Sequence, residues 1–331
     1  MLTLHSDTLH FAFPEVHKKA RCGVKFSRTL RVPDDQRPYL VPPTLTPIAP
    51  NQVDDYPEHL PKDWRRRGGV FLPLYQAEAL SLSFTGDYPF ALKIGAGKIN
   101  TLTGEPWQHE LNPERQDYLV STQNRFLDGF HVAANRVRQF VAMPLGEGYT
   151  AEEQLTGLAH HGGLQILAYP LKAEVFRTRF GAWADSDDEY RSLDINFCRS
   201  GQARTQNAEM GLAPGGLVAQ PTDRDLYGYD AWDQTRWGRC FVHLLNSHQY
   251  HAVTGVKLPY PPPGVRDYKR HRLPWYHHYS EGAPMEQAGI LAKLVSVATW
   301  FKAKHGQPLP DNDPPGPVEI RPVQARSIRS G

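Results

Sequence analysis

The sequence predicts an α+β fold that is β-rich: mainly antiparallel sheet, a sandwich or open barrel-like arrangement, with a few short helices and one C-terminal amphipathic helix. Three observations lead there. Proline (29) and glycine (27) are spread through all 331 residues without forming a repeat, a pattern that long helices do not tolerate. Several short segments alternate apolar and polar residues with the period of two of a half-buried strand. Only one stretch, near the C-terminus, carries a sustained helical period.

Taken in order, 24–32 (VKFSRTLRV) alternates Val24, Phe26, Leu30 and Val32 against polar neighbours and reads as a strand. Residues 33–61 contain Pro33, Pro42, Pro43, Pro47, Pro50, Pro57 and Pro61; this arm is expected to wrap the surface in extended, irregular conformation. Trp64 then precedes Arg65, Arg66 and Arg67, which reads either as a phosphate-binding cluster or, more simply, as a solvated turn. GGVFLPLYQAEALSLSF ends in a strand, with a short helical turn expected at 76–80. YPFALKIGAGKINTLTG reads as a hairpin with a glycine-rich centre. Residues 137–143 and 163–169 are two further strands, and Thr150 with Glu153 between them fits a capping box. Residues 171–180 suit a short helix or a strand, and 181–216 read as acidic and glycine-rich loops with an apolar patch at 193–197. In PMEQAGILAKLVSVATWFKAKHG, Ile290, Leu291, Leu294, Val295, Ala298 and Phe301 share a helix face, and Gly306 closes it. Residues 1–306 are thus expected to form one integrated domain and 307–331 a disordered tail.

Composition narrows the function. The net charge of +2 is not that of a dedicated nucleic-acid binder, and no nucleic acid is expected. No apolar run reaches the length of a membrane span, and the N-terminus has no secretory pattern. Cys22, Cys198 and Cys240 are far apart and odd in number, so they are read as reduced thiols of a cytoplasmic protein.

No GxSxG, HExxH or calcium-loop motif occurs. GAGK at 95–98 is neither a Walker loop nor a dinucleotide fingerprint, because no further glycine follows at the required spacing. It reads as an amide cradle for an anion with Lys98 beside it, or as a close strand approach that needs glycine. RCFVHLLNSHQYHAVTG at 239–255 holds His243, His248 and His251. Imidazole suits zinc or iron, so a metal centre on these three is one reading. A buried strand with a hydrogen-bonded histidine is the other, since alternation sends Cys240, Val242 and Leu244 to one face and Phe241, His243 and Leu245 to the other. Asp230 and Trp232, within DRDLYGYDAWDQTRW, and Trp275, within LPWYHHYSE, combine carboxylates and aromatic faces as sugar-binding and ligand-binding sites do.

GGVFLPLYQAEALSLSF, YPFALKIGAGKIN, VRQFVAMPLGEGYTAEEQLTG, GGLQI, MGLAPGG and RCFVH with the following NS and AVTG, then LPWY, resemble in their order a family of soluble bacterial and fungal proteins with no established activity. The resemblance covers most of 1–290. It implies that the GAGKIN turn and the 239–255 segment belong to one integrated unit, and it brings no cofactor or catalytic residue with it.

The expected function is therefore a soluble binding or interaction protein with a polar-aromatic pocket in its C-terminal half, holding a small molecule or a protein partner at Lys98, Asp230, Trp232 and Trp275. The alternative is a metal-dependent enzyme of hydrolase or oxygenase type built on the histidines, six of the fifteen falling between His243 and His278. A second alternative is an assembly protein whose proline-rich arm clasps another subunit.

Overall fold

The computed structural model describes residues 1–159, 161–185, 209–258, 264, 266, 270, 275, 282–286 and 289–310. Among the described residues seventeen strands join in one hydrogen-bonded network, almost all of it antiparallel. Phe90–Ala96 lies beside Leu164–Pro170, with Ile94 opposite Ile166. Leu164–Pro170 in turn pairs with the first half of Gly238–Asn246, Ile166 opposite Cys240. The second half of Gly238–Asn246 runs parallel to Val70–Leu74. Glu209–Val218 meets Gly238–Asn246 at Leu244 and Leu245 and pairs along its length with Arg136–Pro144. From there the network passes through Ala79–Thr85 to Arg21–Thr29, then to Thr8–Ala12 and finally Leu2–His5.

The apolar positions read from the sequence face one core. Leu92, Ile94 and Ala96 of one strand meet Leu164, Ile166 and Ala168 of the next and Cys240, Val242 and Leu244 of the third, all buried in a single cluster with Phe26, Phe90 and Phe140. Each buried apolar side chain contributes roughly 1.5–3 kcal/mol relative to exposure, so this three-strand face is a firm platform for whatever its other face carries.

Several elements differ from expectation. The 33–61 arm is extended, but it is not irregular. Pro38–Tyr39, Thr44–Pro47 and Asn51–Gln52 each border a longer strand of the same chain. Proline is tolerated there because an edge strand needs donors on one side only. The turn expected to be helical at 76–80 is instead tight, with Ala77 at φ 61° and the Glu78 carboxylate accepting the Tyr75 N–H at 2.7 Å. Residues 209–218, read as loop, form a strand in spite of Pro214, Gly215 and Gly216, the register shifting between Arg138 and Phe140 on its partner. Residues 171–180 resolve to the helix Ala173–Phe180.

The C-terminal helix is shorter than its period suggests. Leu291–Lys293 is a single 3-10 turn, Leu294 is extended, and the α-helix runs Val297–His305 with the Ser296 side chain accepting from the Thr299 N–H. Gly306 closes it in the left-handed conformation as expected. The Thr150–Glu153 capping box is complete in both directions. The 193–197 patch, Cys198 and most of LPWYHHYSE lie outside the described residues, as does 311–331. No helix among the described residues is long and apolar enough to cross a membrane.

Candidate functional site

On the opposite face of the three-strand platform, register aligns Gly95, Gln165 and Phe241 in one row and Lys93, Leu167 and Arg239 in the next. His243 follows Phe241 two residues along the same face. Gly95 is required in that row: a Cβ there would meet the Trp107 ring at 2.6 Å and Gln165 at 3.2 Å. The indole lies on bare backbone, and the loop it belongs to is fastened to Lys93, which is buried and paired with Asp117 at 2.7 Å and donates to the Glu110 carbonyl.

Beyond this covered stretch the face opens into a cleft of about 60 Å³, lined by Arg67, Lys98, His161, Gln165, Phe241 and His243 among others. Arg67 arrives from the short helix Lys62–Arg67, whose Trp64 is buried as an anchor. Of the three arginines, Arg66 pairs outward with Asp63 at 3.1 Å, whereas the Arg67 side chain is only 16 % exposed and reaches Asp63 at no better than 3.9 Å. Lys98 sits on the two-residue turn between Phe90–Ala96 and Ile99–Asn100, with Gly97 at φ 58°, a conformation glycine adopts without penalty. The Lys98 ammonium forms no hydrogen bond or ion pair among the described residues. Arg239 stacks on Phe241, 4.6 Å from its ring centroid, and adds positive potential at the margin.

The amide cradle read from GAGK exists, but the chain fills it. Glu152, buried, accepts from the Lys98 N–H at 3.1 Å and the Gly162 N–H at 3.2 Å, and from the His161 N–H as well. Burial raises the Glu152 pKa and these amides oppose the rise. One internal carboxylate thus ties together the two loops that present Lys98 and His161.

His243 is locked in place. Its ring stacks on Trp64 at 4.4 Å, and Nε2 lies 3.1 Å from the Gly68 carbonyl, which can only accept. The proton is therefore on Nε2. Burial, with Arg67 nearby, pushes the pKa down to about 4 against the favourable Gly68 bond, so the imidazole is neutral at physiological pH. His248 and His251 lie on the helix Ser247–Thr254, where Asn246 caps His248 N–H. Among the described residues no three His, Cys, Asp or Glu side chains converge as a metal requires. The trio His243, His248 and His251 is not a preassembled zinc or iron centre, because strand alternation turns His243 inward toward Trp64 while the next two belong to a helix.

The aromatic candidates also part company. Trp232 is 1 % exposed, and its Nε1–H donates to Asp225 Oδ2 at 2.9 Å, the same oxygen that accepts from Tyr118 Oη at 2.7 Å. It is core, not a ligand platform. Asp230 is exposed in the turn Tyr229–Ala231. Trp275 packs on Tyr39 and the Val32, Val41, Val137 and Val218 cluster. Of the residues expected to bind ligand, only Lys98 reaches the cleft; with His243 it is joined there by Arg67, and by His161, Gln165 and Phe241, for which no motif existed. The adjacent glycines in HHGG at 160–163 were the available signal.

Cys22 and Cys240 are buried and unpaired, their pKa values raised to about 12 by burial, which leaves them inert as nucleophiles. Compared with known proteins, the chain matches no family model, no curated protein and no solved structure.

Proposed function

We propose that the protein is a binding protein for a small anion, held at the cleft by Arg67 and Lys98 over a floor of Gln165, Phe241 and His243. The observation that carries this reading is the uncompensated Lys98 ammonium beside Arg67, in a chain of net charge +2. Two cations sharing one concave site repel each other unless an anion lies between them. The volume is far below the ~300–1,000 Å³ of drug-sized pockets, which favours an ion or the charged head of a larger molecule. The three short strands of the proline-rich arm border strands of their own chain.

Calorimetric titration with inorganic phosphate tests the reading. Saturable binding to the wild type is expected, with at least about a tenfold loss in Lys98→Met and in Arg67→Met, the equivalent of ~1.4 kcal/mol for each charge-assisted contact. Lys98 is exposed, so its variant should melt as the wild type does. Unchanged affinity in both variants would remove the cleft from the function.

A further inference from the structure

Beside its donors the cleft has an acceptor of fixed direction, His243. Lys98, Arg67 and the Gln165 amide offer N–H groups. Gln165 Nε2 donates to the Gly97 carbonyl at 2.7 Å, which holds that side chain in a fixed orientation. His243 also lines the cleft, and its one N–H is committed to Gly68. Nδ1 is consequently a bare lone pair. It makes no hydrogen bond among the described residues, and it is not among the side-chain atoms sealed from solvent without a partner. A half-turn of the ring would keep the Trp64 stack but set a carbon against the Gly68 carbonyl, so the Gly68 bond fixes the ring's orientation. A fully deprotonated oxyanion placed against Nδ1 would set lone pair against lone pair. An oxyanion that retains a proton would donate it there.

We propose that the cleft selects a tetrahedral oxyanion still carrying a proton, namely hydrogen phosphate or a singly protonated phosphate monoester, with His243 Nδ1 accepting the hydrogen bond from the P–O–H group and Arg67 and Lys98 balancing the charge. This rests on the anion-binding reading above and adds to it which anions are admitted. The discrimination has a physical basis in the cost of an unpaired buried polar group: a site built around a hydrogen bond rejects the analogue lacking it more strongly than it rewards the one that has it. The charged and titratable groups around His243 are Arg67, Lys98 and His161 at the rim, Glu209 behind Trp64, whose indole donates to it, and Glu152 beneath the Lys98 turn.

Sulfate and phosphate are the decisive pair, because they match in shape and only phosphate bears a proton at neutral pH. Calorimetry on the full chain at pH 7 is expected to give at least about tenfold tighter binding of inorganic phosphate than of sulfate. His243→Phe keeps a ring between Trp64 and Phe241 and removes the acceptor, so the two anions should bind equally weakly; His243→Asn, which can place an amide oxygen where Nδ1 was, should restore part of the preference. Glycerol phosphate separates an esterified group from the free ion. Its second proton leaves near pH 6, so its affinity should fall between pH 5.5 and 7.5 by more than that of sulfate measured in parallel, which absorbs any titration of His161. Wild-type protein that binds sulfate and phosphate equally would overturn the selectivity and leave the anion site standing. Wild-type protein that binds neither would remove both.

Discussion

The cleft around Lys98 and the loop from Asp223 to Trp237 are made of similar ingredients, aromatic rings beside charged groups, and they behave in opposite ways. In the loop the chain saturates itself. Asp225 Oδ2 accepts from both Tyr118 and Trp232, Asp225 Oδ1 accepts from the Tyr227 N–H, and Asp233 is spent on Thr235 and Arg236. At the cleft the Lys98 ammonium pairs with no carboxylate among the described residues and Arg67 has Asp63 only at 3.9 Å, while Glu152 is turned inward onto backbone amides. Asp225 and Asp233 are thus spent within the fold, whereas the Lys98 ammonium is paired with none of the described residues. Density of aromatic and acidic residues does not separate the two; the fate of each donor and acceptor does.

The comparison breaks first at Trp232. If the loop is a packing device, Trp232→Ala should lower unfolding free energy by about 3–5 kcal/mol in a urea titration, the cost of a large buried side chain. A loss below about 1 kcal/mol would return Trp232 to the ligand-binding candidates. Asp117→Asn comes next. It leaves the Lys93 ammonium buried without its partner, and about 3 kcal/mol is expected from breaking one half of a buried pair. Replacing both together, as Lys93→Met with Asp117→Leu, should recover much of the loss.

A smaller effect depends on pH, and its sign separates the two kinds of region. His243 at the cleft has a folded pKa of about 4 against 6.5 unfolded. The unfolded chain takes the proton first, so the contribution of His243 is fully present above pH 6.5 and is lost as pH falls toward 4. Asp128, buried in the closed interior between Ser81 and Gln220, has its pKa raised to about 6 from 3.8. The folded state holds that proton longer, so the contribution of Asp128 is fully present below pH 3.8 and is lost as pH rises through 6. The two slopes oppose each other between pH 4 and 6. Asp128→Asn should therefore raise stability at pH 7 by up to about 2–3 kcal/mol, leave it unchanged near pH 4, and expose an undisguised acid loss from His243. Thermal melts across that range check this; an identical shift at both pH values would show that Asp128 is not titrating.

The smallest expected effect is at Glu152. Glu152→Gln keeps the shape, but its amide nitrogen replaces one of the two oxygens that accept from the Lys98 and Gly162 N–H groups, so one backbone donor loses its acceptor. Phosphate affinity should drop a few-fold with a loss of about 1–2 kcal/mol in stability, the cost of one backbone donor left without an acceptor. No change in affinity would mean that the rim loops hold their positions without it.

Much of the scaffold was legible in the chain. Alternation at 24–32 located the strand Arg21–Thr29, and the apolar runs 137–143 and 163–169 located two more, each buried on nearly every residue as a strand covered on both faces is. The Thr150–Glu153 box and Gly306 were legible because capping is settled within four residues. The strand at 209–218 was not, since MGLAPGGLV is held by its pairing with Arg136–Pro144 and not by its own propensity. The helical period at 290–295 misled for the mirror reason: those residues are apolar because Leu291 and Leu294 are buried, which a 3-10 turn and an extended residue achieve as well as a helix does.

What the sequence determined alone was local: where most strands and caps fall, that the 239–245 strand is mainly apolar on both faces, and that Cys240 and His243 face apart. Tertiary structure decided the cleft. Arg67, Lys98, His161 and His243 come from four segments, joined by a parallel pairing of Val70–Leu74 with Gly238–Asn246 and an antiparallel pairing through Leu164–Pro170. Strand partners so distant in the chain are chosen by burial of the shared core face, a property of the assembled sheet, and no single segment carries it.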